Sequence, residues 1–157
     1  MLSKRSWLFA LLAGALVGGM WYSTRLLPSL AKGAQTLRQG CSVKAEEPFE
    51  RFLARFESER PFALARTVLP LPGLKAAAPG AGDETPTRFS VSKEQYRGWE
   101  LIGEKIRRNQ LASEQQKQGK AVVLHVYKPD SDAWHEVYHF RLQGGCWMLD
   151  QYEDQSL

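Results

Sequence analysis

Apolar positions along the chain fall into three successive patterns: an unbroken run near the start, helical spacing in the middle and strand-like alternation at the end. After Lys4 and Arg5, the run from Trp7 to Tyr22 carries no charge over sixteen residues. As a helix it reaches about 24 Å, somewhat short of the roughly 30 Å hydrocarbon core of a bilayer, so its flanks must help. A basic start followed by such a run fits either a membrane anchor or the apolar part of a secretory signal. The run has no polar face, which argues against a buried soluble helix. A clean A-x-A cleavage site is missing, with Val17-Gly18-Gly19 the nearest substitute. Trp7 and Trp21-Tyr22 stand at its two ends, where indole and phenol rings favour the headgroup boundary, and this favours an anchor. Residues 1–24 are thus a signal-anchor or signal peptide, and residues 25–45 a juxtamembrane connector. Lys4 and Arg5 on one side nearly balance Arg25, Lys32 and Arg38 on the other, so charge alone leaves the orientation undecided. Signal-like starts usually lead the following chain outward, and the remainder is expected to be exported, or secreted if the leader is cleaved.

From Pro48 the period changes. Phe49, Phe52, Leu53 and Phe56 fall at i, i+3, i+4 and i+7, one face of a helix, with Glu50, Arg51, Arg55 and Glu59 opposite. Pro61 ends that helix and suits the first turn of a second, with Phe62, Leu64, Ala65 and Val68 as its apolar positions. Pro70 and Pro72 lack amide donors, so the stretch 69–74 does not continue a helix. Residues 75–86 read as a loop. Thr87 to Val91 suits a short strand, and Ser92-Lys-Glu-Gln95 is a capping-box pattern. The helix it opens is expected to carry Tyr96, Trp99, Ile102 and Ile106 on one side. The polar stretch 109–120 breaks the pattern and reads as a solvated loop or frayed helix end.

The last forty residues are rich in aromatic and β-branched types, and segments 121–127, 133–142 and 146–152 read as strands. Gly144-Gly145 is a two-residue hairpin signal that sets Gln143 against Cys146. Counting outward places Leu142 opposite Trp147, Phe140 opposite Leu149 and His139 opposite Asp150. Tyr138, Phe140, Leu142, Trp147 and Leu149 then share the face under the helices. His135, Val137, His139, Arg141, Met148 and Asp150 share the other, while the face of His125 is left open. Helices followed by an antiparallel meander make an α+β domain with helices on one sheet face.

The length of 157 residues suits one folded domain. The net charge of +4 invites a nucleic-acid reading, but residues 1–45 hold six Lys/Arg and no acid, leaving 15 basic against 17 acidic residues in 46–157. The domain is therefore about −2 (15 − 17), and no nucleic-acid partner is expected. Two cysteines exclude a disulfide-dense scaffold and a four-cysteine zinc site. A bridge between Cys41 and Cys146 is open if the domain is exported; two unpaired thiols are the alternative. Cys41 lies far beyond the apolar run, which argues against a lipoprotein signal.

The segment PFERFLARFESERPFALARTVLPLPG resembles the opening of a bacterial nuclear-transport-factor-2-like (cystatin-like) envelope protein family of unknown function. Arg66 and Leu69-Pro70-Leu71 stand where that family places the arginine ending its second helix and the following turn. SVSKEQYRGW and the closing YHFRLQGGCWMLDQYEDQSL are also similar. The resemblance covers residues 46–157, mainly in packing and turn residues. It implies a curved sheet wrapped around helices as a cone, whose mouth can hold a small molecule. Some relatives are isomerases or dehydratases and many are not catalytic.

Candidate chemistry is sparse. His139 beside Asp150 would be a general acid–base pair, against the plainer reading of a solvated cross-strand pair. His135 and His139 lie about 13 Å apart at about 3.3 Å per residue, too far to share an ion on a straight strand, and no metal site is expected. Trp99 and Tyr138 are the ligand-binding candidates at a cone mouth. Glu136 interrupts the inward face, either solvated near an edge or fixing a ligand inside. No phosphate loop or nucleophile elbow is present, and no cofactor is expected. The leading expectation is a membrane-tethered periplasmic domain that binds a small ligand or protein partner without catalysis. The alternatives are a lyase or isomerase using Glu136 or His139–Asp150, and a module that dimerises through the open face carrying Val137 and Met148.

Overall fold

A computed structural model describes residues 41, 45–77 and 85–157. The apolar run 7–22 and nearly all of the connector 25–45 lie outside the described residues. Among the described residues, no helix is long and apolar enough to cross a membrane.

The domain is α+β. Helix α1 (Phe49–Phe56) buries the four apolar positions set by its spacing. Pro61 lies in the first turn of α2 (Arg60–Ala65). Strands β1 (Leu71–Lys75) and β2 (Thr87–Val91) follow. Helix α3 (Lys93–Gly98) opens on the Ser92 capping box, with both reciprocal bonds formed. Helix α4 (Ile102–Asn109) leads into β3 (Ala112–Gln118), β4 (Ala121–Tyr127), β5 (His135–Gln143) and β6 (Cys146–Asp154). One six-stranded sheet runs β2-β1-β6-β5-β4-β3.

Packing on the inner face is aromatic. Phe140 of β5 meets Phe49, Phe52 and Phe56 of α1 edge-on, with centroids 5.5, 5.5 and 5.2 Å apart. Such edge-to-face pairs contribute about 0.5–1.5 kcal/mol each beyond their buried area. Arg66 at the end of α2 is 2% exposed, yet it is well supported. Its guanidinium donates to Glu47 Oε2 at 2.9 Å and to the Trp147 carbonyl at 3.3 Å. Cys41 is bonded to Cys146, with Cα atoms 5.1 Å apart, so the chain preceding α1 is pinned to the start of β6.

Four expectations require correction. The sheet is mixed rather than antiparallel, because β1 runs parallel to β6. The chain leaving α2 already lies along β6, where Val68 N–H donates to the Leu149 carbonyl and Leu149 N–H to that of Arg66, both at 2.8 Å. Pro72 and Gly73 hide this strand from a propensity reading. The expected single helix after Ser92 is two, since Trp99 and Leu101 have extended backbones. Arg60 Nη1 crosses from α2 to the freed carbonyls of Arg97 and Trp99, at 3.0 and 2.6 Å, and holds the break open. The polar stretch after Asn109 is not a loop: residues 112–118 form edge strand β3, all but Ala112 exposed, so alternation has nothing to bury against.

The fourth correction concerns register. Gly144 and Gly145, at φ 58° and 83°, make the expected tight turn. Leu142 opposes Trp147 and Phe140 opposes Leu149, as counting predicts. A bulge then adds Asp150 to β6, so His139 opposes Gln151 instead. The extra residue reverses which positions of β6 point inward: Tyr152 enters the core and Glu153 turns out.

Candidate functional site

Inside the curved sheet, β5 and β6 bring together a polar cluster that the helices cover. Lys105 of α4 sets its ammonium against both Glu136 oxygens, at 2.9 and 2.6 Å, and 3.0 Å from the Tyr138 hydroxyl. Tyr138 donates to Glu136 Oε2 at 2.6 Å. Glu136, read from sequence as either edge or ligand carboxylate, is thus buried and already partnered. Burial first, and then the Glu136 charge, push the Tyr138 phenol well above its usual range. The Tyr152 phenol is raised for the same two reasons in the same order. Tyr96, raised mainly by burial, reaches about 12.

Aromatic rings close the mouth. Trp99 stands edge-on to Tyr152 with centroids 4.8 Å apart and touches Tyr96 at 5.5 Å, while Tyr138 meets Tyr152 at 5.2 Å. The remaining cleft, bounded by Phe56, Tyr96, Trp99, Ile102 and Tyr138, holds ≈ 20 Å³. That is room for about one water molecule.

A solved structure of a protein from Bacteroides fragilis, described as NTF2-like (nuclear-transport-factor-2-like), aligns with 71% of this chain at a TM-score of 0.54 and 16% identity. The chain has the NTF2-like fold. It spans 48% of that protein's length. An NTF2-like protein of unknown function from Pseudomonas putida aligns with 80% of this chain and 87% of its own, at 13% identity and a TM-score of 0.33. No family model matches the sequence, and no curated protein matches it. NTF2-like folds are compatible with ligand binding and with isomerase-like chemistry, and the fold by itself does not decide between them.

The outer face of this NTF2-like sheet gathers the three histidines. His139 Nε2 lies 2.8 Å from Glu153 Oε1, whereas Asp150 pairs with Arg141 at 2.9 Å, so the anticipated His139–Asp150 pair does not form. The bulge at Asp150 is the cause. His125 Nδ1 and His135 Nε2 are 3.2 Å apart, on adjacent strands. Burial, then the neighbouring His135, lowers the His125 pKa below its ordinary value. Above these rings lies an open groove of ≈ 580 Å³, also lined by Glu114, Gln116, Tyr127 and Asp132. Val137 is only 2% exposed and Met148 half-buried, so this face presents imidazole and carboxylate groups rather than an apolar patch.

Sequence reading singled out Glu136, Tyr138 and Trp99 but missed Lys105 and Tyr152. Lys105 sits beside Ile102 and Ile106 at the margin of the apolar stripe, a position that usually stays wet. Tyr152 is carried inward only by the bulge.

Proposed function

We propose that this chain is a non-catalytic binding module of the bacterial cell envelope. Residues 7–22 tether it to the inner membrane, and the NTF2-like domain stands in the periplasm, or is secreted if the leader is cleaved. One observation carries the reading: the cone is filled. Small-molecule sites usually occupy about 300–1,000 Å³, against the ≈ 20 Å³ left beside Trp99 and Tyr138. The groups expected from sequence to serve a lyase or isomerase in the cone are occupied: Lys105 and Tyr138 hold Glu136, and His139 lies against Glu153. The groove over His125 and His135 has the volume the cone lacks, and there the small ligand or protein partner docks.

The test is a fragment screen by NMR on the isotope-labelled chain in mild detergent. Shifts are expected around His125, His135 and Glu114. Saturable shifts centred on Trp99, Tyr138 and Lys105 would refute the reading and return the site to the cone.

A further inference from the structure

We infer that His125 and His135 form a two-nitrogen chelate for a divalent transition metal, zinc or copper, at the floor of the outer groove. The strand register sets up the pair: Tyr127 opposes His135 and His125 opposes Val137, which places the two rings diagonally on one sheet face. Their facing nitrogens are 3.2 Å apart. Two nitrogens on one tetrahedral zinc, at about 2.0–2.1 Å each, lie about 3.3 Å from one another. The nitrogens already stand close to the separation of the complex, but ring centroids 5.5 Å apart set them head-on, so each imidazole turns to bring both lone pairs onto the metal. Without metal, one ring donates an N–H to the other. To ligate through the facing nitrogens, the donor ring carries its proton on its other nitrogen, so that both rings bind as neutral imidazoles.

The surroundings favour a cation. Glu114 stands directly opposite His125 on β3, and Asp130 and Asp132 line the same groove. Lys128 also lines it, but its ammonium donates to the Asn109 carbonyl at 2.9 Å. Among the described residues no cluster of three or more His, Cys, Asp or Glu side chains could hold a metal ion, so the remaining positions on the metal are open to water or to a ligand. Imidazole pairs select zinc, copper and nickel over calcium and magnesium. The inference rests on the groove being the binding surface and names what that surface takes.

The test titrates the whole chain in mild detergent with zinc by calorimetry and with copper by electron paramagnetic resonance. One zinc equivalent should bind saturably, about tenfold or more weaker in His125→Ala and in His135→Ala and unchanged in His139→Ala. The copper spectrum of the unsubstituted chain should show two imidazole nitrogens, a readout independent of whether either variant folds. No zinc uptake at millimolar metal, or affinity unchanged from the unsubstituted chain in either His125→Ala or His135→Ala, overturns the site, as does a copper spectrum without imidazole nitrogen. Zinc held at the pair while fragments shift only Trp99 and Tyr138 keeps the metal site and overturns groove docking; groove shifts without metal uptake do the reverse.

Discussion

Replacing Lys105 by Met tests whether Glu136 is held as a buried, occupied carboxylate. The side chains of Lys105 and Glu136 are only 12% and 10% exposed, and their closest approach is 2.6 Å. Removing one member of a well-desolvated pair costs about 3–5 kcal/mol, because the remaining charge stays buried. Methionine retains the apolar stem, so little of the loss is packing. Tyr138 still donates to Glu136, and both side chains keep a margin of exposure, which places the expected loss near 3 kcal/mol. For a domain of this size that lowers Tm by roughly 12 °C or more. The assay is equilibrium urea unfolding of the oxidised chain in mild detergent, run as a cycle with Glu136→Gln and the double variant. The expected coupling between the two positions is about 2 kcal/mol. A Lys105→Met loss below about 1 kcal/mol together with coupling near zero would show a solvated carboxylate. That result would refute the argument that Glu136 is unavailable to a substrate.

Two further predictions follow from close packing and from burial of phenols. An added Cβ at Gly103 would lie 2.9 Å from the Glu57 carbonyl oxygen, which accepts from the Gly103 amide at 3.3 Å, so Gly103→Ala must push α4 from the end of α1. The expected cost in urea unfolding is about 1–3 kcal/mol, and a neutral result would show that the two helices separate freely. Tyr96, Tyr138 and Tyr152 all have phenols raised in the folded state. Above about pH 10 the unfolded chain therefore ionises first, and stability that is complete below that pH falls as pH rises, by up to about 1.4 kcal/mol per pH unit for each tyrosine. The tyrosinate absorbance of these three, out of five tyrosines in the chain, should accordingly appear in step with loss of near-ultraviolet circular dichroism. Three phenols that ionise near pH 10 with the fold intact would contradict their burial.

Much of the fold was legible because local periodicity and turn chemistry act over a few residues. The α1 face, Pro61 in the first turn of α2, the Ser92 capping box, the Gly144-Gly145 turn and the first pairs of its hairpin all depend on neighbours within about one turn or one strand pair. The elements that escaped are those whose identity comes from a distant partner. Strand β1 exists because the chain beyond Arg66 runs beside β6, which outweighs Pro72 and Gly73. Strand β3 is an edge with no covered face, so it carries no apolar alternation. The break at Trp99 is stabilised by Arg60, 39 residues away in sequence.

The candidate sites divide in the same way. Sequence alone marked Glu136 as the polar residue among inward positions, named Trp99 and Tyr138 beside it, and separated a basic leader from a mildly acidic domain. Only the tertiary structure decided what those residues meet. Register counting fails at the first extra residue, since a single inserted position reverses every side chain beyond it. Asp150 is that residue. It exchanges His139–Asp150 for His139–Glu153 and brings Tyr152 beside Tyr138. The Lys105–Glu136 contact required α4 to cross the sheet at one height, and the His125–His135 contact required the register of β4 on β5. Both depend on long-range geometry, which no pattern confined to one segment encodes.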